Sequence, residues 1–307
     1  MVALIVILFP PLLIAFLLVM ERVEEPLRRP TTQREVEDFL GSATPGEVDA
    51  LAHSGIRRAM SRWRRRRHSG RTRGTGPRAV TDDELNALVA AAQSAPTSSN
   101  LQPWSVVAVR DPARKARLAA LAGNQAFIEQ APLFLVWVAD LGRARRLADR
   151  TGTQLAALDY LETTVIGLVD TALAAQNAVV AAASLGLGSV FVGAIRNHPE
   201  RVAAELKLLP SALATFGLAV GAPDPTERAG VKPRLPQGAV LHRELYDAVT
   251  ADAHIAGYDE RLSTYNARFG LAGNWSNRVL DRLRGPESMA GRHLLRATLE
   301  RLGLPSR

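Results

Sequence analysis

The chain has 307 residues, 47% hydrophobic and 22% charged, a balance that belongs to a folded protein and excludes a wholly disordered one. Cysteine is absent and the six histidines are scattered, which excludes disulfide scaffolds, thiolate nucleophiles and iron–sulfur clusters and leaves no metal site to expect. The net charge of +8 is concentrated in residues 1–78, with 14 Arg against 8 acidic groups; 35 of the 38 basic residues are Arg, a codon-usage signature rather than a sign of nucleic acid, and no nucleic-acid partner is expected.

Taken in chain order, Met1 to Met20 contains eighteen apolar side chains, two prolines and no charge. As a helix it spans about 30 Å, enough to cross a bilayer. No basic stretch precedes it and no small-x-small cleavage site follows, unlike a secretory signal. Residues 1–20 are therefore expected to form a transmembrane anchor. Residues 21–78 follow as a basic juxtamembrane segment and linker. Within them Ile56, Met60 and Trp63 recur at i, i+4 and i+7 among arginines, the pattern of a helix on an anionic lipid surface. Membrane lipid is expected to be met through residues 1–67. The Arg excess behind the span predicts a cytoplasmic C-terminal bulk at the cell membrane.

From residue 79 to 307 the texture is that of a mixed α and β domain. Thr81-Asp-Asp-Glu84 forms a capping box that opens a helix to about Ser94. Trp104 to Arg110 predicts a strand, Asp111-Pro112 the start of a helix, and Pro132 to Ala139 a second strand. Leu155 to Leu185 predicts one unbroken Ala-rich helix ending at Gly186; it is apolar on every side, so burial in a dimer is expected. Strands follow at 189–193 and 214–220, then a Gly/Pro-rich loop over 221–238 and further helices.

The sequence has no G-x-S-x-G elbow and no phosphate-binding loop of the G-x-x-x-x-G-K-[ST] type. Gly186-Leu-Gly188 precedes a strand, and the third glycine of a dinucleotide fingerprint would fall on Phe191. It predicts a helix end and a turn. Three segments are richer in polar groups than their surroundings require. Thr97, Ser98, Ser99, Asn100 and Gln102 offer three hydroxyls and two amides between a helix and a strand. Phe191 to His198 carries Val192 and Gly193 at a strand end, where a flat ligand can approach the backbone, and passes into a helix capped by Asn197. Gly230 to Pro236 sets Lys232 and Arg234 on a proline-stiffened loop, either as a phosphate grip or as an exposed basic loop.

These segments resemble the nitroreductase family, in its NADPH-dependent nitro/flavin reductase branch. The resemblance is carried by AAQSAPTSSNLQPWSVV (91–107), LAGNQAFIEQAP (121–132), VDTALAAQNAVVAA (169–182), SLGLGSVFVGAIRN (184–197) and GVKPRLP (230–236), over residues 79 to about 270. It implies an α+β fold with a central, mostly antiparallel sheet flanked by helices. It also implies a homodimer with FMN at each interface and ping-pong transfer of hydride from NADPH or NADH to nitroaromatics, quinones or flavins. By resemblance Ser98, Ser99 and Asn100 lie near the flavin ring, with Thr97 and Gln102 in the same loop, and Gln125 bonds the flavin. Val192 and Gly193 touch it through the backbone, and Lys232 and Arg234 hold its phosphate or its N1–C2=O edge.

The sequence departs from the branch in two places. The basic-Arg-Ser-x-Arg motif that grips the FMN phosphate reads Arg67-His-Ser-Gly-Arg-Thr-Arg73, so an ungapped alignment assigns Arg73 and a two-residue insertion assigns Ser69 and Arg71. Around Phe269–Trp275 the branch supplies arginines for the 2′-phosphate of NADPH, where this chain has Arg268. The segment before residue 67 is foreign to the family, either a native fusion or a join of two reading units that would leave a cytoplasmic enzyme. The alternative to an enzyme is a membrane-anchored flavin-binding or scaffold protein without catalysis.

Overall fold

The computed structural model describes residues 78–224 and 230–304. The expected anchor and basic segment, together with Ser69, Arg71 and Arg73, lie outside the described residues.

Helix α1 (Asp82–Gln93) begins at the capping box. The Thr81 hydroxyl accepts the Glu84 N–H while the Glu84 carboxylate accepts the Thr81 N–H. Strand β1 (Trp104–Val109) leads into α2 (Pro112–Leu121), whose first turn is closed by the Asp111 carboxylate on the Arg114 N–H. The short helix α3 (Ala126–Gln130) precedes β2 (Leu133–Asp140), and α4 (Gly142–Thr151) follows it. The long helix α5 (Leu161–Ser184) leads to β3 (Gly188–Val192), α6 (Pro199–Leu206) and β4 (Ala212–Gly221). Helices α7 (Ala248–Asp252), α8 (Ile255–Ala267), α9 (Trp275–Leu283) and α10 (Leu295–Arg301) complete the described chain.

The four strands form one sheet in the order β1-β2-β4-β3, and every neighbouring pair is antiparallel. The apolar run of β2 has a simple cause: the strand is central and covered on both faces. Leu133, Leu135 and Trp137 point to one side, with α1 and α5. Phe134 and Val136 point to the other, with α2, α3 and α6. The side-chain period of two divides a single apolar run between two cores.

Two elements differ from the sequence reading. The predicted helix over 155–185 is interrupted: Ala156–Asp159 is a 3-10 turn, Tyr160 is extended (φ −100°, ψ 146°), and the α-helix starts at Leu161. The Thr163 hydroxyl donates to the Ala157 carbonyl at 2.7 Å and holds this break. Asn197 is not a helix cap. It ends a 3-10 turn over Gly193–Asn197, and α6 starts after His198 with Pro199 in its first turn. The turn expected at Gly186 is present, with φ +74°.

Helix α5 packs on the sheet through a stripe of small residues: Gly167, Ala174, Ala175, Ala178 and Ala182. A Cβ on Gly167 would sit 3.5 Å from the Ala139 Cβ, so the stripe lets helix and sheet approach closely. Its other side leaves Val165, Val169, Leu173 and Val180 exposed. Among the described residues it is also the one helix long and apolar enough to cross a membrane, a property shared by core helices of folded domains.

Candidate flavin site

The loop Thr97–Gln102 leaves α1 and enters β1. Ser98–Asn100 form a 3-10 turn in which Ser99 (φ 47°) and Asn100 (φ 56°) are left-handed, and Gln102 (φ 49°) follows in the same region. Three left-handed non-glycine residues within four positions make a strained backbone, a feature that gathers at ligand sites. The Gln102 amide donates to Asn100 Oδ1 at 3.1 Å, and the side chains of Ser98, Ser99 and Asn100 are exposed. Two neighbours hold this loop. Asp170 on α5 accepts the Ser98 N–H, and Arg143 on α4 donates to the Gln102 carbonyl at 2.8 Å.

A second group forms where β3 ends. Val192 is buried and Gly193 opens the 3-10 turn that carries Arg196 and Asn197. A Cβ on Gly193 would lie 3.5 Å from one guanidinium nitrogen of Arg196 and 4.0 Å from one of Arg292. Two arginines thus flank Gly193. Neither forms an ion pair with a carboxylate among the described residues; Arg196 donates to the Thr215 carbonyl and Arg292 to the Met289 carbonyl. Burial, and then repulsion from Arg292, holds the Arg196 guanidinium below its ordinary pKa. Burial, and then Arg282, does the same to Arg292. Two neighbouring guanidiniums without a carboxylate partner among the described residues raise the local positive potential.

Gln125 stands at the start of α3, immediately after the left-handed pair Gly123 and Asn124. The Asn197 amide nitrogen lies 3.7 Å from where a Gly123 Cβ would be, so the Gln125 turn and the Gly193 turn are neighbours. Asn197 Oδ1 is buried and has no hydrogen-bond partner among the described residues. Lys115, nearly buried, supports α3 from below by donating to the carbonyls of Glu129 (2.9 Å) and Ala131 (2.6 Å).

Lys232 and Arg234 are exposed on their own loop, which is fixed by α8: Tyr258 donates to the Pro233 carbonyl and Tyr265 to that of Gly230. Arg261 on α8 and Arg268 just past its end line a cleft of about 390 Å³ beside this loop together with Val231 and Thr264. The structure therefore joins Val192, Gly193 and the Gln125 turn. The loops at 97–102 and 230–236 hang from other supports, α4 and α5 for the first and α8 for the second. Arg196, Arg292, Asp170 and Arg261 belong to these surroundings and were not singled out by the sequence reading. Among the described residues no group of three or more His, Asp or Glu could hold a metal ion.

The architecture defines the class first: an α+β protein with one antiparallel four-stranded sheet covered on both faces by helices, with exposed polar loops at the strand and helix ends. Comparison with known proteins makes the class definite. The family model for the nitroreductase family matches residues 65–221, and that for its C-terminal domain matches residues 232–307. The chain belongs to the nitroreductase family. It is 39% identical over 208 residues to the FMN reductase (NADPH) of Bacillus subtilis, covering 66% of this chain and 83% of that protein. It is 40% identical over 186 residues to the oxygen-insensitive NADPH nitroreductase of Salmonella typhimurium, covering 61% and 74%. Among solved structures it resembles B. megaterium NfrA2 (TM-score 0.70, 36% identity, 78% of this chain and 98% of that one). It also resembles the NADPH:FMN oxidoreductase from Vibrio harveyi complexed with NAD+ (TM-score 0.66, 34% identity, 76% and 94%).

Proposed function

We propose that this protein is an FMN-dependent NAD(P)H oxidoreductase of the nitro/flavin reductase type. The observation that carries the reading is the pair of arginines, Arg196 and Arg292, flanking Gly193 without a carboxylate partner among the described residues. Its relatives named FMN reductase and NADPH nitroreductase support the same chemistry. When bound, FMN supplies the two-electron relay, accepting hydride from NAD(P)H and passing electrons to a nitroarene, quinone or free flavin.

The residues present fit such a group. The Ser98–Asn100 turn offers hydroxyls and an amide to the rim of a ring system, and the Gln125 side chain offers both a donor and an acceptor. Gly193, free of a side chain, lets a planar ring approach the backbone. Lys232 and Arg234 offer positive charge to the phosphate or to the negative edge of the ring, and Ser69, Arg71 and Arg73 are the further candidates for the phosphate. Arg196 and Arg292 favour an electron-rich occupant and an anionic donor. Hydride transfer itself would need no acid–base dyad in the chain; the further proton a reduced quinone or nitroarene takes up would come from solvent. The exposed ridge Val165, Val169, Leu173 and Val180 supports a homodimer, and residues 1–20 and 21–78 are the proposed membrane anchor and basic segment of a cell-membrane protein.

Absorbance of the purified protein tests the reading. A visible flavin spectrum that bleaches on anaerobic addition of NADPH is expected. A colourless protein that takes up no added FMN would reject it, and a yellow protein inert to both NADPH and NADH would favour the non-catalytic flavin-binding alternative.

A further inference from the structure

Among the polar side chains on the packed side of helix α5 are the buried Thr164, Asp170 and Thr171 and the partly buried Asn177. Asp170 is 3% exposed, and Asn177 follows seven residues later, two turns along the same side. Asn177 Nδ2 donates to the Ala91 carbonyl at 3.2 Å and to the Ser94 hydroxyl at 3.3 Å, fixing the end of α1. The Asp170 carboxylate accepts the Ser98 N–H, with its oxygens at 3.1 and 3.3 Å. That is its one hydrogen-bonded partner among the described residues, and no cation pairs with it there. Burial pushes its carboxyl above the ordinary range, against the smaller opposing pull of the Ser98 N–H.

A carboxyl group with a single partner on a mostly apolar helix face is a costly way to build a core. What it touches explains its presence. Ser98 opens the turn in which Ser99, Asn100 and Gln102 are left-handed, and such a backbone persists where its surroundings over-determine it. Arg143 fixes the far end of the same loop at the Gln102 carbonyl.

We propose that Asp170 is a positioning residue of the flavin site, holding the Ser98 N–H so that the Ser98–Asn100 turn keeps the strained form that presents its polar groups to the ring. The proposal deepens the flavin reading above and rests on it. Asp170 acts through the loop and does not itself touch the ligand.

The test uses the full-length protein loaded with FMN, reading the FMN Kd by flavin fluorescence and the geometry of the bound ring by visible circular dichroism. Asp170→Ala removes the acceptor and should weaken FMN about tenfold and alter the visible dichroism, while Asp170→Asn keeps an acceptor of the same size and should stay within about threefold of wild type. Ser98→Pro removes the donor at a helix-start position that tolerates proline. It should weaken FMN to a similar extent, and combining it with Asp170→Ala should add little. If the Ala variant fails to fold, Ser98→Pro compared with Ser98→Ala, which removes the hydroxyl and keeps the N–H, decides. The proline should weaken FMN and alter the visible dichroism beyond the alanine, and equal effects of the two would overturn the proposal. Wild-type Kd and dichroism in Asp170→Ala, an unchanged Kd in Ser98→Pro, or full additivity of the two would overturn the proposal. A wild-type protein that binds no FMN would instead overturn the flavin reading, and the proposal with it.

Discussion

Gly217 shows how far one missing side chain can fix the core. It lies on β4 opposite Val136 and Val192, and a Cβ there would meet the fully buried Phe134 ring, with Cε2 at 2.6 Å. Gly217→Ala therefore displaces Phe134 from a packed interior and should cost about 1–3 kcal/mol, read as a lower denaturation midpoint in urea at unchanged slope. Arg292 makes the complementary case at the surface of the site. Removing it relieves the repulsion on Arg196 but halves the positive charge beside Gly193. Arg292→Ala should raise KM for NADPH by about tenfold, with added phosphate inhibiting less than in wild type. At this scale the sequence was only partly legible. The polar runs at 97–102 and 230–236 stand out locally because their neighbours are apolar. Arg196 and Arg292 belong to distant stretches, and their convergence on Gly193 exists only after the C-terminal segment has folded back. Asp170 did leave a signal, a lone acid in an otherwise apolar Ala-rich run, and a buried acid without a cation is rare enough to mark a role.

Elements were more legible than contacts, because caps and periodicity are local properties. The box at Thr81–Glu84, the Asp111-Pro112 start and the strand at β2 all appear where the residues predict them. The break at Tyr160 was not visible, since the apolar pattern continues across it and the Thr163–Ala157 hydrogen bond that holds it is a matter of geometry. The family resemblance reached about residue 270, whereas the matched C-terminal domain runs to the end of the chain, where α10 closes on Leu141 and Leu213. Between elements, α2 and α6 are linked by Glu205, whose carboxylate accepts from Arg117 at 2.8 and 2.9 Å and from Arg114 at 3.1 Å. The Arg117 hydrogen bond leads in holding its pKa down to about 2. A carboxylate with a depressed native pKa stabilises the fold above its unfolded pKa of about 4.3, and that contribution fades as pH falls toward the native value. Glu205→Gln should therefore lower Tm by roughly 1–3 °C at pH 7, with the difference from wild type shrinking below about pH 4. A deficit that persisted undiminished at pH 2–3 would mean that the pairing is not its cause.

For the whole molecule the question is what covers the outer ridge of α5 and what the first part of the chain does. Val169 is 50% exposed and Leu173 41%, whereas Ala174 beside them is fully buried against the sheet. A charge at Ala174 would disrupt the protomer core, so Val169→Glu is the discriminating change: if this ridge is the proposed dimer interface and FMN sits across it, as the family resemblance implies, the variant should be a folded monomer by sedimentation that loses FMN. A Val169→Glu protein that sediments as a dimer with full FMN would place the interface elsewhere. The proposed anchor is tested by its removal. The family match begins at residue 65, and the described residues fall in a compact unit that begins at Gly74. An anchor buries its apolar surface in lipid, whereas the sheet and its helices bury theirs against one another, so neither should need the other to fold. Deleting residues 1–64 should then move the protein from the membrane pellet to the soluble fraction while it keeps FMN and NADPH oxidation, the candidates Ser69, Arg71 and Arg73 being retained. Further loss of residues 65–73 should weaken FMN by removing the proposed phosphate grip. A protein lacking 1–64 that is colourless and aggregated would make the N-terminal segment part of the catalytic fold, and one whose full-length form never enters the membrane pellet would remove the anchor altogether.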